Sequence, residues 1–313
     1  MRRLRLGTRG SALALWQARS VAAALEQRGA GVDVVRITTH GDRRQDVPLP
    51  EIGGKRVFVK EIEDALLAGE IDLAVHSAKD MAAESVPGLA LAAALPREDP
   101  RDALVLGVQS PFRDRGEAAL APWPGNRGPS LSIGTGSIRR VALLRHAFPH
   151  AAFVSIRGNV DTRLRKLDAG EMDAIILAAA GLNRLGLGDR ISALLPVESC
   201  VPAPGQGIIG VEIRSDDVDA RRHVSALNDD AAAIALEAEQ AVVAALGGGC
   251  QLPLGAYAAM VEGTLVLRAV VASSDGGEIL STCVSGNPVD AAALGRRAAD
   301  DLSARGARRI LQT

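Results

Sequence analysis

The sequence predicts an α/β protein with two sheet-bearing lobes and a small C-terminal α+β domain built on an antiparallel sheet. Three observations carry this. Short runs of Val, Ile and Leu alternate with helical patterns as far as residue 213, as strands joined by helical crossovers do. Two segments recur in the same order: Leu6-Gly7-Thr8-Arg9-Gly10-Ser11 returns as Ile133-Gly134-Thr135-Gly136-Ser137, and Leu66-Leu67-Ala68-Gly69-Glu70-Ile71-Asp72 returns as Leu167-Asp168-Ala169-Gly170-Glu171-Met172-Asp173. Beyond residue 250, three strand-like segments follow one another with glycine-containing turns between them. At 313 residues the chain exceeds one ordinary core. With aromatics at 2 %, Ala, Leu, Val and Ile must fill its cores.

In chain order, residues 4–7 read as a strand, 11–28 as a helix closed by Gly29, and 32–37 as a strand. Residues 42–56 are long, polar and glycine-containing, which fits either a flap or a surface loop. A helix at 58–68, a strand at 71–75 and an apolar run at 89–95 follow. Pro96-Arg97-Glu98-Asp99-Pro100 reads as a first crossing between lobes. A strand at 132–134, a helix at 137–148, a strand at 153–156, a helix at 160–169 and a strand at 173–177 rebuild the alternation, so parallel sheets are expected. Val201-Pro202-Ala203-Pro204-Gly205-Gln206-Gly207 reads as a second crossing, after which a strand at 208–213 returns to the first lobe. An Ala-rich helix at 231–246 ends in Gly247-Gly248-Gly249. Strands at 254–261, 264–272 and 278–285 and a helix at 289–305 complete the chain. The expected domains are 1–96 with 205–226, 101–200 and 230–313, with a cleft between the first two.

Several functions are excluded or disfavoured. No run of about 18 apolar residues lacks a charge, so no membrane partner is expected. The basic start is not followed by an apolar signal core. Cys200, Cys250 and Cys283 are far apart and odd in number, which argues against a disulfide framework and for the cytoplasm. The net charge of −1 carries no nucleic-acid signature. His146 and His150 are separated by Pro149 and the cysteines lack zinc spacing, so no metal site is expected.

Local chemistry points to an anionic ligand. Arg139, Arg140, Arg145, Arg157, Arg163, Arg165 and Lys166 stand against one acid, Asp161; a solvated helix face is the plainer account. Thr8-Arg9-Gly10-Ser11 and Thr135-Gly136-Ser137-Ile138-Arg139-Arg140 put hydroxyls and guanidiniums at helix N-termini, where Ser11 and Ser137 either bind an anion or simply cap. Arg157, Arg163 and Arg184 also follow predicted strand ends, where open α/β sheets bind ligands. Lys79 and Asp80 follow another strand, as a functional pair or as two surface charges. Cys250 lies in a glycine-rich turn that can display a thiol, although most cysteines are small buried hydrophobes.

These segments, together with Phe58-Val59-Lys60-Glu61, His76-Ser77-Ala78-Lys79-Asp80, Arg97-Glu98-Asp99-Pro100-Arg101-Asp102, Arg157-Gly158-Asn159-Val160, Pro204-Gly205-Gln206-Gly207 and Gly248-Gly249-Cys250-Gln251, resemble the porphobilinogen deaminases, also called hydroxymethylbilane synthases. The resemblance spans nearly the whole chain. It implies two lobes like those of type-II periplasmic binding proteins and a third domain carrying a dipyrromethane cofactor on Cys250 by a thioether. It implies stepwise condensation of four porphobilinogen molecules with loss of ammonia, then hydrolytic release of hydroxymethylbilane. Asp80 matches the catalytic carboxylate, which assists loss of ammonia and stabilises the resulting cation. Arg9, Arg139, Arg140, Arg157, Arg163 and Arg184 match positions that bind the acetate and propionate groups. Ser11, Ser77, Lys79, Thr135, Ser137 and Gln206 match further contacts, and Lys55 and Phe58 match the flap. Ala12, Met81-Ala82, Gly136 and Gly247 depart from the usual pattern without removing a charged catalytic group. A cytoplasmic monomer is expected. The competing readings are a non-catalytic two-lobed binding protein for an organic polyanion, which leaves Cys250 idle, and a phosphate-handling enzyme, which lacks a phosphate loop.

Overall fold

A computed structural model describes residues 3–43, 59–110, 131–247 and 252–312. The first lobe holds β1 (Leu4–Thr8), α1 (Ala12–Glu26), β2 (Val32–Arg36), α2 (His40–Arg43), α3 (Lys60–Leu67), β3 (Leu73–Ser77) and β4 (Leu89–Ala94). The second holds β5 (Asp102–Leu106), β6 (Ser132–Gly134), α4 (Ile138–Ala147), β7 (Ala152–Val154), α5 (Val160–Asp168), β8 (Ala174–Ala178), α6 (Ala179–Arg184) and β9 (Ala193–Leu194). The chain then returns to the first lobe as β10 (Ile209–Arg214) and α7 (Val218–Val224). It ends in α8 (Asp230–Ala245), β11 (Leu254–Val261), β12 (Thr264–Ala272), β13 (Ile279–Gly286), α9 (Ala291–Ala304) and α10 (Ala307–Gln312).

The two large sheets follow one plan, β2-β1-β3-β10-β4 and β7-β6-β8-β5-β9. Three strands are parallel in each. The fourth is antiparallel to both its neighbours, so the sheets are mixed and the all-parallel expectation is corrected. The register gives the reason. Asp102 enters opposite Ala178, and Ile209 enters opposite Ser77. Each crossing thus delivers the chain at the C-terminal edge of the neighbouring parallel strand, and the new strand must run back along it. That edge is where open sheets place ligands.

The sequence repeat has a structural meaning. Gly69 and Gly170 take φ of 70° and 78°, the left-handed conformation that ends a helix. Three residues later, Asp72 accepts the Arg5 N–H at 2.9 Å and Asp173 accepts the Ser132 N–H at 2.8 Å. Each aspartate fixes the start of a corresponding strand, β1 in the first lobe and β6 in the second. This use of residues 71–72 moves β3 two positions beyond its predicted span. His76 and Ser77 then complete the strand, and Ala78–Asp80 form a 3₁₀ turn directly after it.

Small aliphatic residues fill the cores as the composition required. Leu6, Leu73 and Val211 pack against Val21 and Leu25 of α1, and Ile62, Leu66 and Ile71 pack on the opposite face. The three-stranded antiparallel sheet β11-β12-β13 packs on α8 and α9. The third domain touches both lobes. Val270 and Ala272 enter the second lobe's core, while Ala232 and Leu236 of α8 cover Ala78, Ala94 and Ile208. The sequence pattern does not delimit α2, α6, α7, β5, β9 or α10. All are short, which leaves little periodicity to read.

Candidate functional site

Three strand-to-helix turns meet at the sheet edges. After β1, Ser11 caps α1 by accepting the Ala14 N–H at 3.3 Å, and Arg9 is half-buried before it. After β6, Ser137 caps α4 by accepting the Arg140 N–H at 3.4 Å, and the buried Thr135 hydroxyl accepts the Ser137 N–H at 3.2 Å. Both serines therefore cap. After β3, the Ser77 hydroxyl exchanges hydrogen bonds with Gln17 of α1, at 2.9 Å as acceptor and 3.3 Å as donor. Lys79 and Asp80 follow in the 3₁₀ turn.

Arg139 and Arg140 converge on one carboxylate. Asp102, fully buried, accepts Arg139 Nη2 at 2.7 Å, Arg140 Nη2 at 2.7 Å and Arg140 Nε at 3.1 Å. Gln206 Nε2 donates to it at 2.8 Å and Cys200 Sγ at 3.3 Å. Arg139 also donates to the Val201 carbonyl, and Arg140 to the Ile176 carbonyl at 2.8 Å. Burial opposes the Asp102 charge, but the two guanidiniums outweigh it and hold the carboxyl far below the usual range. The Cys200 thiol is pushed up to about 12, first by burial and then by Asp102. It is an inert thiol.

Arg163, Lys79 and Arg184 stand nearby. Arg163 donates to the Gly158 carbonyl at 2.8 Å. Its guanidinium is pushed down to about 10 by burial and then by Arg140 and Arg157, while Asp80 from the opposite lobe acts the other way. Lys79 is lowered to about 8, mainly by burial and then by Arg140, with Asp80 and Asp102 opposing. It donates to Gln206 Oε1 at 3.3 Å. Arg184 is buried in α6, donates to the Gly207 carbonyl at 2.7 Å and lies 5.8 Å from the centre of the Trp16 ring. Burial lowers its pKa, with Glu98 opposing. The region around Lys79, Arg140, Arg157 and Arg163 thus carries a surplus of positive charge in a place that desolvates it. That surplus calls for an anionic ligand.

The crossings lock together behind this region. Arg97 Nε donates to the Gln206 carbonyl at 2.8 Å, the Glu98 N–H donates to the Gly207 carbonyl at 3.0 Å, and Gln206 Nε2 donates to the Pro100 carbonyl at 2.7 Å. Glu239 of α8 ties them to the third domain. It accepts Arg97 Nη1 at 2.6 Å, the Gly205 N–H at 2.6 Å and the Ala258 N–H at 2.8 Å. Lys55, Phe58 and Cys250 lie outside the described residues. Among the described residues no group of three His, Cys, Asp or Glu could hold a metal, and no helix is long and apolar enough to cross a membrane.

Sequence reasoning missed Glu239, and it quoted Asp102 and Cys200 without giving them a structural role. Asp102 heads the fully buried strand β5, and an acid opening an apolar run was the one signal available. Glu239 sits in an Ala-rich helix beside Glu237 and gives no such sign.

Comparison with known proteins bears directly on this arrangement. Residues 4–222 match the family model described as porphobilinogen deaminase, dipyromethane cofactor binding domain, and residues 233–304 match porphobilinogen deaminase, C-terminal domain. The porphobilinogen deaminase of Thiobacillus denitrificans is 47 % identical over 313 residues, covering 99 % of this chain and 98 % of that protein. That of Syntrophotalea carbinolica is 47 % identical over 310 residues, covering 98 % and 95 %. Among solved structures, the methionine binding protein MetQ aligns with a TM-score of 0.43 at 12 % identity, covering 72 % of this chain and 89 % of that one. With both family models matched in order and near-half identity along its whole length, the chain belongs to the porphobilinogen deaminase family.

Proposed function

We propose that this chain joins four porphobilinogen molecules head to tail, releasing one ammonia at each joining, and frees linear hydroxymethylbilane by hydrolysis. The primer is a dipyrromethane held as a thioether by Cys250. When bound, that group supplies the pyrrole carbon to which the first new unit is joined. Its acetate and propionate groups fit the residues present, because Lys79, Arg140, Arg157 and Arg163 form a desolvated cationic surface. The observation that carries the reading is Asp80. It lies in the turn after β3 and its charge acts on Arg163 from the other lobe.

In this reading Asp80 stabilises the substrate cation formed as ammonia departs, a fixed anion placed where positive charge develops. Arg9, Arg157 and Arg163, with Lys79, Ser11, Ser77, Thr135 and Ser137, hold the carboxylates of the growing chain. Arg139, Arg140, Arg184 and Gln206 act from behind, since each is committed to Asp102 or to a crossing. Lys55 and Phe58 are assigned as further contacts on the family resemblance alone. The domain partition of 1–96 with 205–226, 101–200 and 230–313 is supported by the three separate sheets. We read the chain as a cytoplasmic monomer. The free thiols of Cys200 and Cys283 support a reducing compartment, and light scattering would measure the oligomeric state.

Intact-protein mass spectrometry, with a colour test for pyrroles, decides the central point. Extra mass equal to two linked pyrrole units should map to Cys250. An active protein with Cys250 unmodified would overturn the reading.

A further inference from the structure

The Arg139–Arg140 pair poses an electrostatic problem. Two adjacent guanidiniums are buried, with 3 % and 6 % exposure, in the first turn of α4. They repel each other, and the positive end of the helix dipole repels both. No acidic residue lies in that turn. The arrangement is tolerable only because Asp102 arrives from β5 beneath it, and its donors among the described residues come from elements that define the site. Arg139 and Arg140 come from α4, Cys200 from the segment before the second crossing, and Gln206 from that crossing itself.

Gln206 carries the link further. Its amide is oriented by two donations from Nε2, to Asp102 at 2.8 Å and to the Pro100 carbonyl at 2.7 Å. Its carbonyl oxygen is thereby aimed away from Asp102, and it accepts Lys79 Nζ at 3.3 Å. Lys79 belongs to the first lobe, Asp102 to the second, and Gln206 to the strand of chain between them. Arg140, Asp80, Asp102 and Arg139 all act on the Lys79 charge.

We propose that Asp102 is a positioning residue for the condensation: its single buried carboxylate fixes Arg139 and Arg140 and, through Gln206, holds the Lys79 ammonium beside Asp80. The inference rests on the porphobilinogen-condensing function proposed above. Asp102 is fully buried, so it acts through the groups it holds, and it couples them across the lobe boundary.

The test reads Lys79 directly, so it does not depend on activity. The chain has four lysines, Lys55, Lys60, Lys79 and Lys166, few enough for ¹³C-dimethyl-lysine NMR of the holoenzyme, with Lys79→Arg to assign the resonance. Lys79 should titrate near 8 in the parent protein. In Gln206→Leu the ammonium loses an acceptor, so its midpoint should fall by about one unit, roughly tenfold less ammonium at high pH. The alkaline limb of the kcat/KM profile for porphobilinogen should move down with it. Asp102→Asn should lower kcat/KM at least tenfold, and Asp102→Glu should recover part of the loss. If Asp102→Asn fails to fold, the Gln206→Leu titration still decides the matter. An unchanged Lys79 midpoint in Gln206→Leu would overturn the proposal, as would a folded Asp102→Asn enzyme with parental kcat/KM. Failure of the functional reading itself would instead show as a parent protein with no activity and no pyrrole mass, whatever Lys79 does.

Discussion

Replacing Glu239 with Ala should cost the protein a large part of its stability. The side chain is completely buried and makes four hydrogen bonds, two to Arg97 at 2.6 and 3.2 Å and one each to the Gly205 and Ala258 N–H groups. Arg97 is itself 13 % exposed and stacks on Tyr257 at 4.9 Å. Removing one partner of a buried ion pair costs about 3–5 kcal/mol, because the surviving charge is left without compensation. Each orphaned buried N–H adds about 1–3 kcal/mol, less whatever local relaxation recovers. A total of about 5 kcal/mol follows, against a typical folding stability of about 5–15 kcal/mol. Urea unfolding followed by circular dichroism measures it. Asp33→Ala provides the contrast, since its pair with Arg3 leaves both side chains more than half exposed, at 56 % and 54 %, and should cost under about 1 kcal/mol. Replacing Arg97 and Glu239 together by Met and Leu should recover part of the loss, because no charge is then left buried. A Glu239→Ala protein within about 1 kcal/mol of the parent would refute the reasoning.

Further predictions concern the site and the crossings. Asp80→Asn should retain cofactor and bind porphobilinogen yet lose roughly 10²–10⁴-fold in kcat; steady-state kinetics with near-parental turnover would reject Asp80 as the catalytic group. Lys79 makes stability depend on pH in a definite direction. Its ammonium titrates at about 8 in the fold, whereas the unfolded chain keeps it to about 10.4. The unfolded state therefore holds the extra proton between these values, and this group's contribution to stability rises as pH climbs through that window. Denaturant melts at stepped pH should show the rise in the parent and not in Lys79→Met; identical slopes would contradict it. Gly207→Ala should destabilise by about 1–3 kcal/mol, because φ is +90° and the new methyl would meet the Glu98 carbonyl oxygen. Gly10→Ala, where the methyl meets nothing, should melt close to the parent.

Much of this protein is legible before folding because its signals are local. Strand and helix periodicity, glycine helix stops and serine caps each depend on residues a few positions apart, and the duplicated Gly69 and Gly170 turns announced two lobes of one design. The ordered motifs around Arg9, Asp80, Arg157 and Cys250 carried the family. The sequence did not determine which arginines are committed and which are left to meet a ligand. Arg139 and Arg140 are neighbours with the same charge, yet both are drawn to Asp102, 37 and 38 positions earlier. The charge of Asp80 acts on Arg163 only across the two lobes. Local propensity acts along the chain and can be read there. Burial and charge compensation act through space, so the fates of Asp102, Glu239 and Lys79 were decided only where the two crossings bring the lobes together.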